Sequence, residues 1–138
     1  MIQNEDPVIA NSLWSATANP TPDCPELRAT VEADVAIIGA GFTGLSAALY
    51  LAKLGQRVVV LEAYTPGWGA SGRNGGQVNP GLIANPEHAI AKFGPQMGQR
   101  MIKMSGDAAK LLFDLIAQHE IPCDAPPVGW LRAAHDPA

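Results

Sequence analysis

Apolar and polar positions first settle into a regular pattern near residue 34. Asp34-Val35-Ala36-Ile37-Ile38 is a short β-branched run that stops on Gly39, as a buried parallel strand does. From Phe42 to Leu54 the period changes: Leu45, Ala48, Leu51 and Ala52 recur at helical spacing, and Gly55 supplies a left-handed stop. Arg57-Val58-Val59-Val60-Leu61 is a second apolar run, and it ends on Glu62. Strand, helix and strand in that order predict one β-α-β unit with a parallel sheet, hence an α/β fold.

Downstream, Asn85-Pro86-Glu87 has the cap, the N1 proline and the first-turn acid of a helix start. Gly94-Pro95 interrupts that helix. After the break Met97, Met101, Met104, Ala108, Leu111, Leu112, Leu115 and Ile116 form an apolar stripe, read as core packing, and Pro122 closes the helix. Gly129-Trp130-Leu131-Arg132-Ala133-Ala134 reads as the opening of a further strand. Upstream, Pro20, Pro22 and Pro25 are too closely spaced for a helix or central strand, so the first 30 residues read as an extended arm, either docked through Leu13 and Trp14 or loose. The predicted organisation is an arm over 1–30, the β-α-β unit with a glycine-rich segment over 31–82, and a helical segment with a strand start over 83–138.

Composition narrows the function classes. The chain has 138 residues, 47% hydrophobic and 16% charged, which is ordinary globular material. Its formal net charge is −4, with nine Lys and Arg scattered along it, so no face is basic enough for a nucleic-acid backbone. Cys24 and Cys123 fit neither a metal cluster nor a disulfide framework; they read as packing residues in a reducing compartment. No apolar run reaches the roughly 18 residues of a membrane span. MIQNEDPVIANSLW lacks the basic region of a secretory signal, so the cytoplasm is the expected location.

Gly39-Ala40-Gly41-Phe42-Thr43-Gly44 lies between the first strand and its helix, and Glu62 follows 18 residues after Gly44. A lone GxGxxG is weak, but here its context accompanies it: a dinucleotide-binding fingerprint of Rossmann type needs each of these parts. Gly39 makes the tight turn, and Gly41 lets the backbone approach a pyrophosphate. The helix N-terminus at Phe42 and Thr43 offers N–H donors, and Gly44 allows close helix–strand contact. Glu62 would accept hydrogen bonds from the adenosine ribose, and its charge disfavours a 2′-phosphate. The fingerprint alone leaves FAD and NAD open.

The second distinctive stretch is GWGASGRNGGQ, residues 67–77, with five glycines in eleven positions. Taken together, ADVAIIGAGFTGLSAALYLAKLGQRVVVLEA, this segment and the SLWSATANP stretch around Trp14 resemble the N-terminal part of the FAD-dependent oxidoreductases of the D-amino-acid oxidase type. The resemblance is nearest to the gamma-glutamylputrescine oxidoreductase-like members of that family. It implies a Rossmann-like FAD-binding unit, oxidation of a C–N bond of an amine or amino acid by hydride transfer to flavin, and oxygen as the usual acceptor. Carried over by position, it places Gly39, Gly41 and Gly44 at the pyrophosphate and Glu62, with Ala63 beside it, at the ribose. Ala70, Ser71, Arg73, Asn74, Gly75, Gly76 and Gln77 then line the pyrophosphate, the ribityl chain or the isoalloxazine. Arg73 is left between balancing phosphate charge and facing the flavin.

Some relatives attach flavin through His or Cys. Residues 67–77 contain neither, so FAD is expected to be held non-covalently, and His88, His119 and His135 read as surface or packing residues. Family members are longer and their substrate-binding sheet comes later, so the chain is expected to be a fragment truncated before that sheet is complete, and no catalytic residue is assigned. A two-stranded sheet leaves apolar faces uncovered. The chain by itself is therefore expected to be marginal, to self-associate, or to need a separately encoded remainder. Two other classes stay open: a non-catalytic dinucleotide-binding module, and a fragment of an NAD-dependent dehydrogenase, against which the GASGRNGGQ segment argues.

Overall fold

The computed structural model describes residues 8–9, 11–126, 128–129 and 131. Its order of elements is α1 (Leu13–Thr17), β1 (Val35–Ile38), α2 (Phe42–Lys53), β2 (Val58–Leu61), a 3-10 turn (Ala70–Gly72) and α3 (Pro86–Gln118). The chain divides into two compact units, with the boundary between Gly75 and Gly76.

In the first unit β1 and β2 pair in parallel, with Val35 opposite Val58 and Ile38 opposite Leu61. Parallel pairing requires a crossover, and α2 provides it, packing on both strands. The helix stops as the sequence implies. Leu54 is the C-cap, Gly55 takes φ 80°, its N–H donates to the Ala52 carbonyl, and the Gln56 N–H donates to the Leu51 carbonyl. This is a Schellman ending, which needs a left-handed residue where Gly55 stands. Asp34 and Arg57 fasten the open end of the strands: the Asp34 carboxylate accepts from the Arg57 backbone N–H at 2.8 Å and from its guanidinium at 2.9 Å. Those bonds hold the Asp34 carboxyl below its ordinary range.

Burial in this unit is shallow. Ala40, in the glycine turn, is 3% exposed, whereas Val58, Val59 and Val60 are half-buried and Ile38 is 90% exposed. A single crossover helix covers one face of two short strands and leaves the rest open.

The arm is not extended throughout. Ser12 caps a single helical turn, α1, in a reciprocal box: its hydroxyl accepts from the Ser15 N–H at 3.2 Å, and the Ser15 hydroxyl accepts from the Ser12 N–H at 2.9 Å. The prolines that exclude helix begin only at Pro20. Leu13 and Trp14 are exposed, so they do not dock the arm.

In the second unit Pro86 opens α3, with Asn85 at the cap position. Gly94 breaks the helix with φ 78° and ψ 164°, and Pro95 starts the next segment. The two segments cross closely at Gly98, where a Cβ would lie 2.6 Å from the Ile90 Cα. Glu120, at φ 49°, ends the helix before Pro122 is reached; the Ile121 N–H donates to the Ile116 carbonyl. The methionine stripe is not core: Met97, Met104 and Leu111 are exposed and Met101 is half-buried. Residues from Gly76 onward supply no strand, among the described residues, that could cover it. Cys24 and Cys123 are likewise exposed rather than packed. The strand expected at 129–134 falls largely outside the described residues.

Candidate cofactor site

The glycine turn has the steric demands expected of it. Gly39 takes φ 99°, and its N–H donates to the Leu61 carbonyl at 2.7 Å, so the turn grows directly out of the β1–β2 ladder. A Cβ on Gly44 would collide with the Gly39 carbonyl oxygen, and it would stand 3.3 Å from Ile37 Cγ2. That glycine lets α2 lie against β1.

Gly41 makes its close approach within the chain: a Cβ there would meet the Ser71 hydroxyl oxygen at 2.9 Å. Ser71 Oγ accepts the Phe42 N–H at 2.9 Å, capping α2 from 29 positions away. The N–H groups of Thr43 and Gly44 have no hydrogen-bond partner among the described residues. A helix N-terminus with free donors, and a hydroxyl that can still donate its own proton, is a fitting environment for a diphosphate. Replacing Ser71 by alanine leaves the Phe42 N–H without its partner. A loss of about 1 kcal/mol is expected in urea unfolding, as for other lost helix caps, and an unchanged midpoint would contradict the cap.

Glu62 is engaged with backbone donors. One carboxylate oxygen accepts the Ala40 N–H at 2.7 Å; the other accepts the Ala63 N–H at 2.9 Å and the Tyr64 N–H at 3.2 Å. The Ala40 bond, more than the other two, holds the Glu62 carboxyl below its ordinary range against a partial desolvation that pushes the other way. The acid therefore stays ionised and able to accept further hydrogen bonds, and it ties the end of β2 to the glycine turn.

Residues 67–74 form a self-supporting loop. The Gly67 N–H donates to the Ala40 carbonyl at 2.9 Å. Gly72 sits so close to the Gly67 carbonyl oxygen that a Cβ would overlap it. The Asn74 amide donates to the carbonyls of Ser71 at 2.8 Å and Ala70 at 3.3 Å, closing the 3-10 turn. Arg73 lies across the Trp68 ring.

The structure thus brings Gly39, Gly41, Phe42, Gly44, Glu62, Ala63 and Ser71 together by direct contact, with Thr43, Ala70, Arg73, Asn74 and Gly75 in the same unit. Gly76 and Gln77 belong to the second unit, where with Asn79, Phe113 and Asp124 they line a groove of about 400 Å³. Sequence reasoning did not single out Ala40, Tyr64, Gly67 or Trp68 as parts of the site. Trp68 alone carried a signal, as an aromatic side chain inside a glycine-rich loop. Among the described residues there is no group of three or more metal-ligating side chains, and no helix is long and apolar enough to cross a membrane.

A parallel β-α-β unit, a three-glycine turn and an acid closing the second strand define a dinucleotide-binding protein of Rossmann type. The family model for FAD dependent oxidoreductases (DAO) matches residues 34–138, and the chain belongs to that family. Gamma-glutamylputrescine oxidoreductase of Escherichia coli (strain K12) is 35% identical over 126 residues, 91% of this chain and 30% of that protein. The probable oxidoreductase OrdL of Haemophilus influenzae is 41% identical over 100 residues, 72% of this chain and 23% of its own. The OrdL protein of Rhizobium meliloti is 36% identical over 124 residues, 90% and 29% respectively. The chain therefore spans less than a third of the length of these relatives. No solved structure matches it significantly.

Proposed function

We propose that the chain is the FAD-binding portion of an oxidoreductase that oxidises a C–N bond of an amine or amino acid, with gamma-glutamylputrescine or a similar amine as substrate. The observation that carries the reading is the glycine turn itself, with free N–H donors at α2, a hydroxyl poised beside them and an ionised carboxylate at the end of β2. FAD, when bound, supplies the acceptor for the hydride lost from the C–N carbon, with oxygen taking up the electrons. The N–H groups of Thr43 and Gly44 and the Ser71 hydroxyl would hold the diphosphate, and Glu62 the ribose. Gly75, Gly76 and Gln77 would contact the cofactor beyond its diphosphate. Binding is non-covalent, since residues 67–77 carry no His or Cys to form a bond to flavin. Ile38, Phe42 and Leu54 are exposed apolar side chains. They support an assembly with a second copy or with a separately encoded remainder.

The test is direct. The purified chain is mixed with FAD, passed through a desalting column and scanned in the visible range. Retained flavin absorbance is expected, and denaturation should release all of it as free FAD. Failure to retain FAD together with tight binding of NAD would overturn the reading in favour of a dehydrogenase fragment.

A further inference from the structure

Arg73 leaves the end of the Ala70–Gly72 turn and folds back on its own loop. Its Nε donates to the Trp68 carbonyl oxygen at 2.8 Å, and its guanidinium carbon stands 4.4 Å from the centre of the Trp68 ring. Trp68 in turn stacks on Tyr64, with ring centroids 4.3 Å apart and planes inclined by 34°. Both aromatic residues are fastened to the glycine turn. The Tyr64 N–H donates to the Glu62 carboxylate, and Gly67, next to Trp68, donates its N–H to the Ala40 carbonyl. Tyr64, Trp68 and Arg73 thus form a contiguous cluster rooted in the same residues that shape the glycine turn.

These two contacts with Trp68 fix how the guanidinium is presented. With Nε committed to the Trp68 carbonyl, only the terminal nitrogens remain as donors, and they make no hydrogen bond among the described residues. A guanidinium whose Nε is already bonded and whose carbon stands over an aromatic ring offers two adjacent phosphate oxygens a planar fork with little freedom left to lose on binding. Arg73 is also the one basic residue between Glu62 and Gln77, and the first turn of α2 carries no acidic side chain. Ser71, two positions before it, already touches the Phe42 N–H. The neutral N–H donors at the start of α2 leave the formal charge of a diphosphate uncompensated, and Arg73 is the cation carried on this loop.

We propose that Arg73 takes the diphosphate of the bound dinucleotide through its terminal nitrogens, and that Trp68 is the positioning residue that holds it ready to do so. This rests on the FAD-binding reading and decides between the two roles left open for Arg73, phosphate rather than flavin ring.

The experiment measures dissociation constants of the chain for FAD and for ADP, which keeps the diphosphate but lacks the flavin, at low and high salt. Arg73→Gln should weaken FAD and ADP by the same factor, roughly tenfold or more, and flatten the salt dependence of both. Arg73→Lys, which keeps the charge without the fork, should recover part of the affinity. Trp68→Leu should weaken both ligands as Arg73→Gln does, Trp68→Phe should restore most of the loss, and the Trp68→Leu/Arg73→Gln double variant should be no weaker than Arg73→Gln alone. Additive losses in the double variant, or an unchanged affinity in Trp68→Leu, would overturn the positioning role. A loss of FAD with ADP retained in Arg73→Gln would overturn the diphosphate assignment, and because Arg73 is exposed that variant is not expected to unfold. If the unaltered chain binds neither FAD nor ADP, the FAD reading itself fails and the proposal falls with it, an outcome distinct from all the others.

Discussion

Alanine at position 44 is expected to abolish FAD retention and to disorder the β-α-β unit. The added Cβ would overlap the Gly39 carbonyl oxygen, lie 3.2 Å from the Gly39 carbonyl carbon and stand 3.3 Å from Ile37 Cγ2. Two of these three neighbours are backbone atoms of a residue held at φ 99° and bonded to the Leu61 carbonyl, so they cannot swing aside as a flexible side chain would. Relief requires α2 to move away from β1, which gives up the packing of the crossover helix on this sheet. Overpacking typically costs about 1–3 kcal/mol and more where backbone must shift, a large share of the stability of any small domain. Gly55→Ala is the matched control. Its Cβ meets nothing within 4 Å, and the cost is the left-handed backbone at φ 80°, about 1–2 kcal/mol, at the far end of α2 from the glycine turn. Far-ultraviolet circular dichroism and flavin retention, measured on both variants, should separate them: a modest loss for Gly55→Ala and a complete one for Gly44→Ala. Equal retention of FAD by the two would show that the third glycine is not a packing requirement.

That contrast also explains what the sequence makes legible and what it hides. Gly39, Gly44 and Gly55 answer to local steric demands, a left-handed turn or a missing Cβ, and such demands are written in residue type. The two strands and α2 accordingly lie within one residue of where the apolar pattern places them. Pro86 and Gly94-Pro95 mark the start and the break of α3 for the same reason. Ser71 is different. Its partner is the Phe42 N–H, chosen by the way the loop folds back, and no periodicity announces a contact across 29 positions. Glu62 is legible as the acid after β2, but its bond to the Ala40 N–H follows from strand register, which sets Leu61 opposite Ile38 and brings the next residue to the turn. The methionine stripe misleads because periodicity reports that a helix has an apolar face and says nothing of what lies against it. Proline spacing likewise marks residues 20–25 as non-helical without reaching back to Ser12, whose pairing with Ser15 makes α1.

The second large effect is expected at Glu62, and it carries a pH signature. Its folded carboxyl is held below the ordinary value of 4.5, first by the Ala40 N–H and then by those of Tyr64 and Ala63. A carboxylate with a depressed folded pKa contributes stability that is fully present above the unfolded value and is lost as pH falls through the folded one. The unaltered chain should therefore hold its stability down to about pH 4.5 and lose this contribution below it. Glu62→Gln removes the charge and puts an amide NH2 where one oxygen accepted, so either the Ala40 N–H or the Ala63 and Tyr64 pair faces a donor. A loss of about 1.5–3 kcal/mol near neutral pH is expected, the range for hydrogen bonds to a charged group. The variant should in addition lack the acid-side decline that Glu62 causes. Urea midpoints of both proteins at a series of pH values from 7 to 3 check this, and their difference should shrink as the pH falls, because protonated glutamic acid and glutamine become alike. A difference that stays constant across the series would mean that the carboxylate charge does not hold the turn to β2. Affinity for FAD should fall with the same substitution, since the side chain proposed to accept from the ribose is also the anchor of the glycine turn. Glu62→Asp is the discriminating variant: it keeps the charge but is one methylene too short to reach both sets of donors, so it should restore the acid-side decline while recovering little of the affinity.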